Sequence, residues 1–575
     1  MWVLADSRRE RYSSTPKARF DERIGLRSPD EKLLHGARGY DVDDMVRPTL
    51  ISALLLICSA AVSRAAVLSP CDAATANPTQ VSKGQTSDAP IPISWENRLR
   101  PAVLESGEPL PHWSLCERMA YYHVPGVAVA VIRDGKIVLA AGYGVLAEGS
   151  SQKVNADTLF SVGSVSKVAT ASIILRMVAA GKLNLDSNVD RYLTSWHVPR
   201  TKDVPDPDVT LRMLMSHTSG FNVGGFPDFM PDEPVPTLIE TLDGKPPAKH
   251  HAVRLTSVPG TRYSYSGGGI MVEQQLLEDV TKTNFADTAK TWLLDPLHMD
   301  RSTFVSPLPA STINVAKAHD NDGHLVALPR GWQTFPEQAA SGLWSNAQEL
   351  GSWVAALIES YRGQSNFLPR GLATQMMTPV SPSPQGLGPE LLGSGDARGF
   401  FHSGSNDNYR AWIEGYLQSG DGFVILTNSS NGSLLRLEIR HALSDAIGLG
   451  VDPVLRTVDL DANDPAYTNY KGTYRLDSDI PMNIRGRFAD DFDVEAFVIN
   501  ISGGKVALRV PGDDHVHPLK ALSPTRFVDA ESETVPLMQF EFHRDAHGKV
   551  QAVSITSGNS LAYYRHDLSA RPGAR

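Results

Sequence analysis

Residues 157–167 read DTLFSVGSVSK and end in SVSK, from Ser164 to Lys167, directly before an apolar run over residues 168–178. The apolar run predicts a buried helix that begins near Ser164. Ser164 and Lys167 are three positions apart, so their side chains would lie on the same helical face. Burial and the positive end of the helix dipole both disfavour a charged amine, so we expect the pKa of Lys167 to be lowered. The stretch predicts a neutral amine acting as general base beside a serine nucleophile.

This tetrapeptide is not specific by itself. The same Ser-x-x-Lys spacing occurs at residues 14–17 and 150–153, where nothing in the surrounding sequence indicates a site. The case for Ser164 therefore depends on the elements and motifs that surround it.

Strand signals flank a helix-rich middle segment on both sides of Ser164. Residues 126–143 form two β-rich runs around an Asp-Gly turn, which predicts a hairpin, and residues 409–417 and 423–427 predict a second pair of strands. Between them, helices are predicted over residues 165–180, 211–216, 271–280 and 347–357. Strands from both ends of one domain predict an α+β fold over residues 95–453, with an antiparallel sheet flanked by helices.

The chain changes character after about residue 454. Short alternating runs follow, and Met538, Phe540 and Phe542 alternate with polar residues, so one face of that strand would be apolar and the other wet. Further runs are predicted over residues 471–476, 494–501, 505–510, 550–555 and 561–564. Residues 454–575 are therefore predicted to form a separate all-β barrel or sandwich.

The N-terminal region carries a targeting signal. Residues 49–62, TLISALLLICSAAV, follow a short basic start at Met45 and precede small residues near Ala65, which is typical of a signal peptide over residues 45–65. Residues 1–44 are polar and are interpreted as disordered or as a mis-assigned start, and residues 66–94 as a linker. The protein is thus expected to be secreted or periplasmic, or else anchored in the membrane by an uncleaved signal. Cys71 and Cys116 could pair in such an oxidising compartment.

Charge and composition narrow the classes of partner. The 575 residues include 54 Lys and Arg against 64 Asp and Glu, a net charge of −10, and no basic run is present. We therefore expect no nucleic-acid partner, because phosphate backbones are bound by clustered positive charge. The histidine pairs at residues 250–251 and 515–517 lack cysteine or carboxylate partners at ligand spacing, so we assign no metal, and we expect no cofactor.

Several motifs occur in an informative order around Ser164. After residues 157–167 come SHTSG at 216–220, PGTRYSYSGGGI at 259–270, ASGLWS at 340–345 and FHSG at 401–404. Over roughly residues 120–450 the chain thereby resembles the serine β-lactamase and penicillin-binding-protein superfamily.

The resemblance implies a set of roles. Ser164 would be the nucleophile, Lys167 its activating partner and Tyr265 the acid/base, with His402, Ser403 and Gly404 forming a third motif. The backbone N–H groups of Ser164 and Ser405 would form the oxyanion hole, and Gly404 would let substrate approach the strand. His217 in the SHTSG motif is interpreted as structural.

Two motif positions depart from the family pattern. Where the family usually has Tyr-x-Asn, Ser266 and Gly267 follow Tyr265, so the side-chain amide that would hold a substrate carbonyl is absent. Where the third motif commonly begins with Lys-Thr, His402 and Ser403 stand, so a fixed charge for a substrate carboxylate is lost. Ser266, Gly267, Ser403 and Gly404 are the candidate substrate-binding residues. The departures favour the esterase and D-aminopeptidase branches of the superfamily.

The C-terminal segment resembles the lipocalin-like domain appended to some members of that superfamily. The sequence thus predicts a secreted serine hydrolase that cleaves a small-molecule ester, amide or peptide, including a D-amino-acid peptide, through a Ser164 acyl-enzyme. One alternative is a β-lactamase or D,D-peptidase acting on β-lactams or peptidoglycan peptides. An alternative of another class is a ligand-binding or sensor protein that keeps the fold without turnover.

Overall fold

The computed structural model describes residues 95–460, 467, 469–477, 494–502, 505–511, 515–531, 535, 537–557 and 560–567. The predicted signal peptide and linker lie outside these residues, and so does Cys71. Cys116 is disulfide-bonded. Among the described residues, no helix combines the length and apolar character needed to cross a bilayer.

The first domain combines helices with one large sheet and two small ones. Its strands are β1 (Val103–Leu104), β2 (Gly126–Arg133), β3 (Lys136–Gly144), β4 (Phe160–Ser161), β5 (Trp344–Ser345), β6 (Glu390–Leu392), β7 (Gly399–Asn406), β8 (Tyr409–Tyr416), β9 (Gly422–Thr427) and β10 (Leu455–Arg456). Its helices are α1 (Leu115–Tyr121), α2 (Val165–Ala179), α3 (Leu211–Met215), α4 (Leu238–Asp243), α5 (Gly267–Thr281), α6 (Phe285–Ala289), α7 (Gln338–Ser341), α8 (Ala347–Arg362), α9 (Arg370–Met376) and α10 (Gly432–Ile447).

The large sheet is antiparallel and has the strand order β3-β2-β9-β8-β7-β6. The two predicted hairpins meet in it, because β2 pairs with β9 through contacts such as Val129 with Ile425. Alternate residues of β2 enter two separate cores, with Ala128 and Ala130 on one face and Val127 and Val129 on the other. Helices cover both faces, which explains why β2 reads as a continuous apolar run. The predicted α+β fold is confirmed.

Helix α5 begins earlier than the sequence predicted. The expectation was a start at Met271, whereas the helix begins at Gly267 and includes three glycines in its first turn. Ser266 is the N-cap, and its hydroxyl accepts the backbone N–H of Gly269 at 2.9 Å. Glycine lowers helix propensity, so this first turn depends on its cap and its tertiary contacts.

The C-terminal segment is a closed barrel, as the all-β prediction required. Its strands are β11 (Gly472–Leu476), β12 (Ala496–Ser502), β13 (Lys505–Arg509), β14 (Val516–Ala521), β15 (Arg526–Asp529), β16 (Gln539–Arg544), β17 (Val550–Ser557) and β18 (Ser560–His566). Met538, Phe540 and Phe542 are buried in its core, as the alternation predicted. The strands β14 and β15 were not predicted, because β14 contains Pro518 and β15 has only four residues. Lys520 of the barrel contacts Glu105 of the first domain at 2.5 Å.

Candidate active site

Ser164 lies at the N-cap of α2, at the end of a tight turn. Gly163 in this turn has a φ of +51°, a region that favours glycine. The hydroxyl of Ser166 donates to the Gly163 carbonyl at 2.6 Å and accepts the Leu343 N–H at 3.0 Å. These two hydrogen bonds of the Ser166 hydroxyl hold the turn in place and thereby position Ser164.

Lys167 is buried directly behind Ser164. Its Nζ lies 3.0 Å from the Ser164 Oγ and 2.9 Å from the Ala340 carbonyl oxygen. Burial lowers the pKa of Lys167 to about 7, and the nearby carboxyls of Glu273 and Glu337 oppose that change. At neutral pH a large fraction of the amine is therefore uncharged, with a lone pair available to accept the serine proton.

Tyr265 completes the group around the serine. The Nζ of Lys167 lies 5.1 Å from the centre of its ring. Its hydroxyl is buried and, within the described part of the chain, has no hydrogen-bond partner. Burial raises the pKa of Tyr265, and the Ser164 hydroxyl lies close enough to oppose the rise. The hydroxyl is therefore protonated at neutral pH and is positioned to pass a proton.

His217 supports Tyr265 from behind. Its ring centre lies 4.4 Å from that of Tyr265, and its Nδ1 accepts the Ser266 backbone N–H at 3.2 Å. The residue follows the end of α3 with a φ of +58°. Burial keeps the pKa of His217 well below its usual value, so the ring is neutral. From the sequence, His217 is interpreted as structural. Its contact with Tyr265 is not predicted by the motif.

Strand β7 passes against the turn that carries Ser164. A Cβ added to Gly404 would lie 1.9 Å from the Val162 carbonyl oxygen and 3.3 Å from the Ser164 N atom. A Cβ added to Gly163 would lie 2.6 Å from the Ser405 N atom. The structure thus brings the backbone N atoms of Ser164 and Ser405 into one neighbourhood. Gly404 lies against this turn, a contact that the motif alone does not predict.

His402 is fully buried on β7. Its Nδ1 lies 2.6 Å from the Ser403 carbonyl oxygen, so Nδ1 carries the hydrogen and Nε2 is the acceptor. Nε2 has no partner among the residues that the structure describes. Burial lowers the pKa of His402 to about 4, so the ring carries no charge at neutral pH. Ser403 is half-buried and Ser405 is exposed beside it.

The two candidate binding residues at the start of α5 are not open to a substrate. The Ser266 hydroxyl donates to the Asn222 carbonyl at 2.9 Å while it caps the helix, and the residue is 1% exposed. Gly267 is buried, and a Cβ there would lie 2.8 Å from the Cε2 atom of Phe226. Phe226 is thus a residue of the site that sequence reasoning missed, because it lies in a distant loop without a motif.

Two buried carboxyls near Lys167 were also missed. Glu273 on α5 is 0% exposed, and neither of its oxygens has a partner within the described residues. Burial raises the pKa of Glu337 to about 8 and that of Glu273 well above its usual value. The Glu337 carboxyl is therefore mostly protonated at neutral pH, and any charge on either carboxyl opposes the lowering of the Lys167 pKa.

A buried amine against a serine at a helix N-terminus, beside a helix-flanked antiparallel sheet, defines a serine hydrolase of the β-lactamase and penicillin-binding-protein type. A family model described as Beta-lactamase matches residues 115–446, more than half of the chain. The chain belongs to this family. Its site contains the serine, lysine and tyrosine that the resemblance implied.

Relatives and solved structures of this class resemble the chain at low identity. Protein flp of Staphylococcus aureus (strain NCTC 8325 / PS 47) is 23% identical over 318 residues, which cover 53% of this chain and 60% of flp. Penicillin-binding protein 4 of Amycolatopsis lactamdurans is 31% identical over 226 residues, 38% of this chain and 55% of that protein. The chain therefore spans less than two thirds of the length of these relatives.

Among solved structures, the octameric penicillin-binding protein homologue from Pyrococcus abyssi is 20% identical with a TM-score of 0.48, covering 78% of this chain and 97% of that one. The D-alanine carboxypeptidase AmpC from Burkholderia cenocepacia is 22% identical with a TM-score of 0.46, covering 58% and 96%.

Proposed function

We propose that the protein is a secreted or periplasmic serine hydrolase that cleaves an ester or an amide through an acyl-enzyme on Ser164. The observation that carries this proposal is the 3.0 Å contact between the Lys167 Nζ and the Ser164 Oγ, made by a lysine that is 3% exposed. Burial lowers the pKa of that lysine to about 7, so the amine is suited to act as a base near neutral pH. A hydroxyl with such a base beside it is an activated nucleophile.

The reaction proceeds in two halves. The Ser164 Oγ attacks the carbonyl carbon, its proton passes to the Lys167 Nζ, and the backbone N–H groups of Ser164 and Ser405 stabilise the negative oxygen. As the bond to the leaving group breaks, Tyr265 gives its hydroxyl proton to that group and takes the proton held by Lys167, which returns to the neutral amine. Water then attacks the acyl ester, one of its protons passes to Lys167, and Lys167 gives that proton to the departing Ser164 Oγ.

Esters and simple amides fit the site better than β-lactams or peptides with a free carboxylate. His402 is buried and its pKa is lowered to about 4, so it offers no positive charge to a carboxylate. Gly267 supplies no amide, and Phe226 fills the adjacent space. An ester has the better leaving group and so depends less on such contacts. We therefore place β-lactamase or D,D-peptidase activity second.

A serine-directed fluorophosphonate probe tests the enzyme. Wild-type protein should be labelled, and Ser164→Ala should not. Ser150→Ala is the matched control, because Ser150 and Lys153 have the same sequence spacing, yet the Ser150 hydroxyl accepts the nearby Gln152 N–H at 3.0 Å. Labelling that survives Ser164→Ala, or absence of labelling in folded wild type, would contradict the Ser164 hydrolase and favour a binding or sensor protein.

Substrate class is read from a parallel screen of p-nitrophenyl esters, D-amino-acid amides and a chromogenic cephalosporin. We expect the esters to be hydrolysed fastest. Faster destruction of the cephalosporin would reverse the order of the two hydrolase proposals.

Secretion is tested separately from chemistry. We expect mature protein to begin near Ala66, after removal of the signal over residues 45–65. N-terminal sequencing of protein from its native cell reads this directly. Recovery of residues 1–44 on the mature chain would contradict the proposed cleavage.

A further inference from the structure

The loop over residues 222–226 is fastened to the start of α5. The first N–H groups of a helix have no partner within the helix, so they need acceptors from outside it. Here successive carbonyls of the loop accept from the Ser266 hydroxyl and from two backbone N–H groups: Asn222 from Ser266 at 2.9 Å, Val223 from Gly268 at 2.9 Å and Gly224 from Gly267 at 3.3 Å. The loop thus serves as the outer cap of the helix that follows Tyr265.

One residue of this loop, Val223, has a strained backbone conformation. Val223 has a φ of +65°, which is unfavourable for a β-branched side chain. Such a conformation persists only where surrounding contacts enforce it. A Cβ added to Gly224 would lie 3.6 Å from the Tyr265 carbonyl oxygen, so the loop also lies directly against the Tyr265 backbone. The position of the loop relative to the site is therefore fixed.

Phe226 uses this fixed position to fill the space beside Gly267. A Cβ on Gly267 would lie 2.8 Å from the Cε2 atom of the Phe226 ring, 3.1 Å from the Gly224 carbonyl oxygen and 3.5 Å from the Phe226 Cδ2 atom. The ring of His250 packs edge-on against Phe226, with 4.8 Å between ring centres. Phe226 is half-buried, so part of its ring remains accessible. A hydrocarbon ring thus lies where a polar side chain at position 267 would project.

We propose that Phe226 is a specificity-determining residue, which selects substrates with an apolar acyl chain and disfavours those with an acylamino group beside the reacting carbonyl. This inference rests on the proposed serine hydrolase. The ring offers apolar contact area but no hydrogen bond. An acylamino group placed against it would lose its bonds to water without replacement, whereas an apolar chain would gain from burial.

An ester series tests the preference for apolar acyl chains. In wild-type protein, kcat/KM for p-nitrophenyl acetate, butyrate and hexanoate should rise by up to about fourfold for each added methylene. Phe226→Ala should reduce that rise to less than about twofold for each methylene, and Phe226→Leu should preserve most of it. Met230→Ala is the control, because Met230 is exposed in the same connection between α3 and α4 and should leave the series unchanged.

A pair of variants tests whether Phe226 fills the space of a missing amide. Gly267→Asn alone should fold poorly or lose activity, because its side chain would overlap the Phe226 ring. Phe226→Ala combined with Gly267→Asn should raise the ratio of cephalosporin to acetate-ester turnover at least about tenfold, since one hydrogen bond to the acylamino group becomes possible.

The outcomes separate this inference from the proposed function. If all hydrolysis is absent in wild type, the proposed function fails. If wild type hydrolyses esters but Phe226→Ala, folded as judged by thermal unfolding, leaves both the chain-length series and the cephalosporin-to-ester ratio unchanged, Phe226 only packs the loop and the inference is wrong. Phe226→Ala keeps the test decisive even where Gly267→Asn variants do not fold.

Discussion

Two glycines of the site motifs, Gly404 and Gly267, are both in close contact, but with different parts of the chain. At Gly404 an added Cβ would meet the backbone oxygen of Val162 at 1.9 Å, whereas at Gly267 it would meet the ring edge of Phe226 at 2.8 Å. The backbone at Val162 cannot move without moving Ser164, but a ring can be replaced by substitution. The contact of Gly404 with Val162 therefore positions the reacting groups, and the contact of Gly267 with Phe226 affects which substrates can bind.

The largest expected effect comes from removing Lys167, the base beside the turn that Gly404 contacts. Lys167→Ala should lower kcat/KM for esters by about 10²- to 10⁴-fold, because it removes the amine that lies 3.0 Å from the Ser164 Oγ and is placed to accept its proton. Steady-state kinetics on p-nitrophenyl butyrate measures it. Lys153→Ala is the matched control and should keep full activity. A loss of less than tenfold in Lys167→Ala would show that another residue is the base.

Gly404→Ala is expected to come next. The new methyl group would force β7 away from the turn of residues 162–164 and separate the Ser405 N–H from the Ser164 N–H. Loss of one oxyanion donor lowers kcat by about 10²- to 10³-fold, and the variant should also unfold at lower temperature. Gly371→Ala provides the control, since a Cβ at Gly371 in α9 meets nothing within 4 Å. An active Gly404→Ala enzyme would mean that the oxyanion site lies elsewhere.

The two glycines also illustrate which parts of the structure could be predicted from the sequence. The β2-β3 hairpin and α2 were predicted because their signals are local, an Asp-Gly turn between apolar runs and an apolar run after Ser164. The approach of Ser164, Lys167 and Tyr265 followed from motif order. Each of these predictions needed only short-range patterns or a known arrangement of motifs.

The missed features depend on contacts between segments far apart in the chain. Phe226 meets Gly267 only because loop carbonyls bind the first turn of α5, and a glycine run in the sequence gave no sign that it would be helical. Glu273 looked like an ordinary helix residue, although its side chain faces the core. Burial of a charged residue type and the filling of a vacant motif position are properties of packing, so local patterns do not predict them.

The pH dependence of ester hydrolysis sharpens the comparison, because it reports on Lys167 and not on Phe226. Lys167 must be neutral to accept a proton, and burial lowers its pKa to about 7. Below that pH the charged form predominates, so kcat/KM should fall about tenfold for each pH unit and level off above pH 7. The pKa of His402, lowered to about 4, keeps that ring neutral throughout. Phe226→Ala should leave the midpoint unchanged, and a midpoint near 10 would indicate an exposed, ordinary lysine.

The smallest effect on activity is expected at the buried carboxyl of Glu337. Burial raises its pKa from 4.5 to about 8, so between these values the folded state holds a proton that the unfolded state has released. Wild-type stability should therefore fall with rising pH in this window, by on the order of 1 kcal/mol for each pH unit from this group. The Gln side chain of the Glu337→Gln variant cannot ionise, so this variant should not show that fall in stability.

Urea unfolding at pH 5, 6 and 7 checks the prediction for Glu337. The stability advantage of Glu337→Gln over wild type should grow with pH, while ester turnover at pH 7 changes by less than about threefold, because the carboxyl is already mostly protonated there. Glu240→Gln is the control. Hydrogen bonds from Thr237 lower the pKa of Glu240, so this carboxyl is ionised in both the folded and the unfolded state from pH 5 to 7, and the stability difference between Glu240→Gln and wild type should stay constant over that range. A Glu337→Gln variant whose stability difference from wild type also stays constant would mean that the Glu337 carboxyl is ionised in the folded protein.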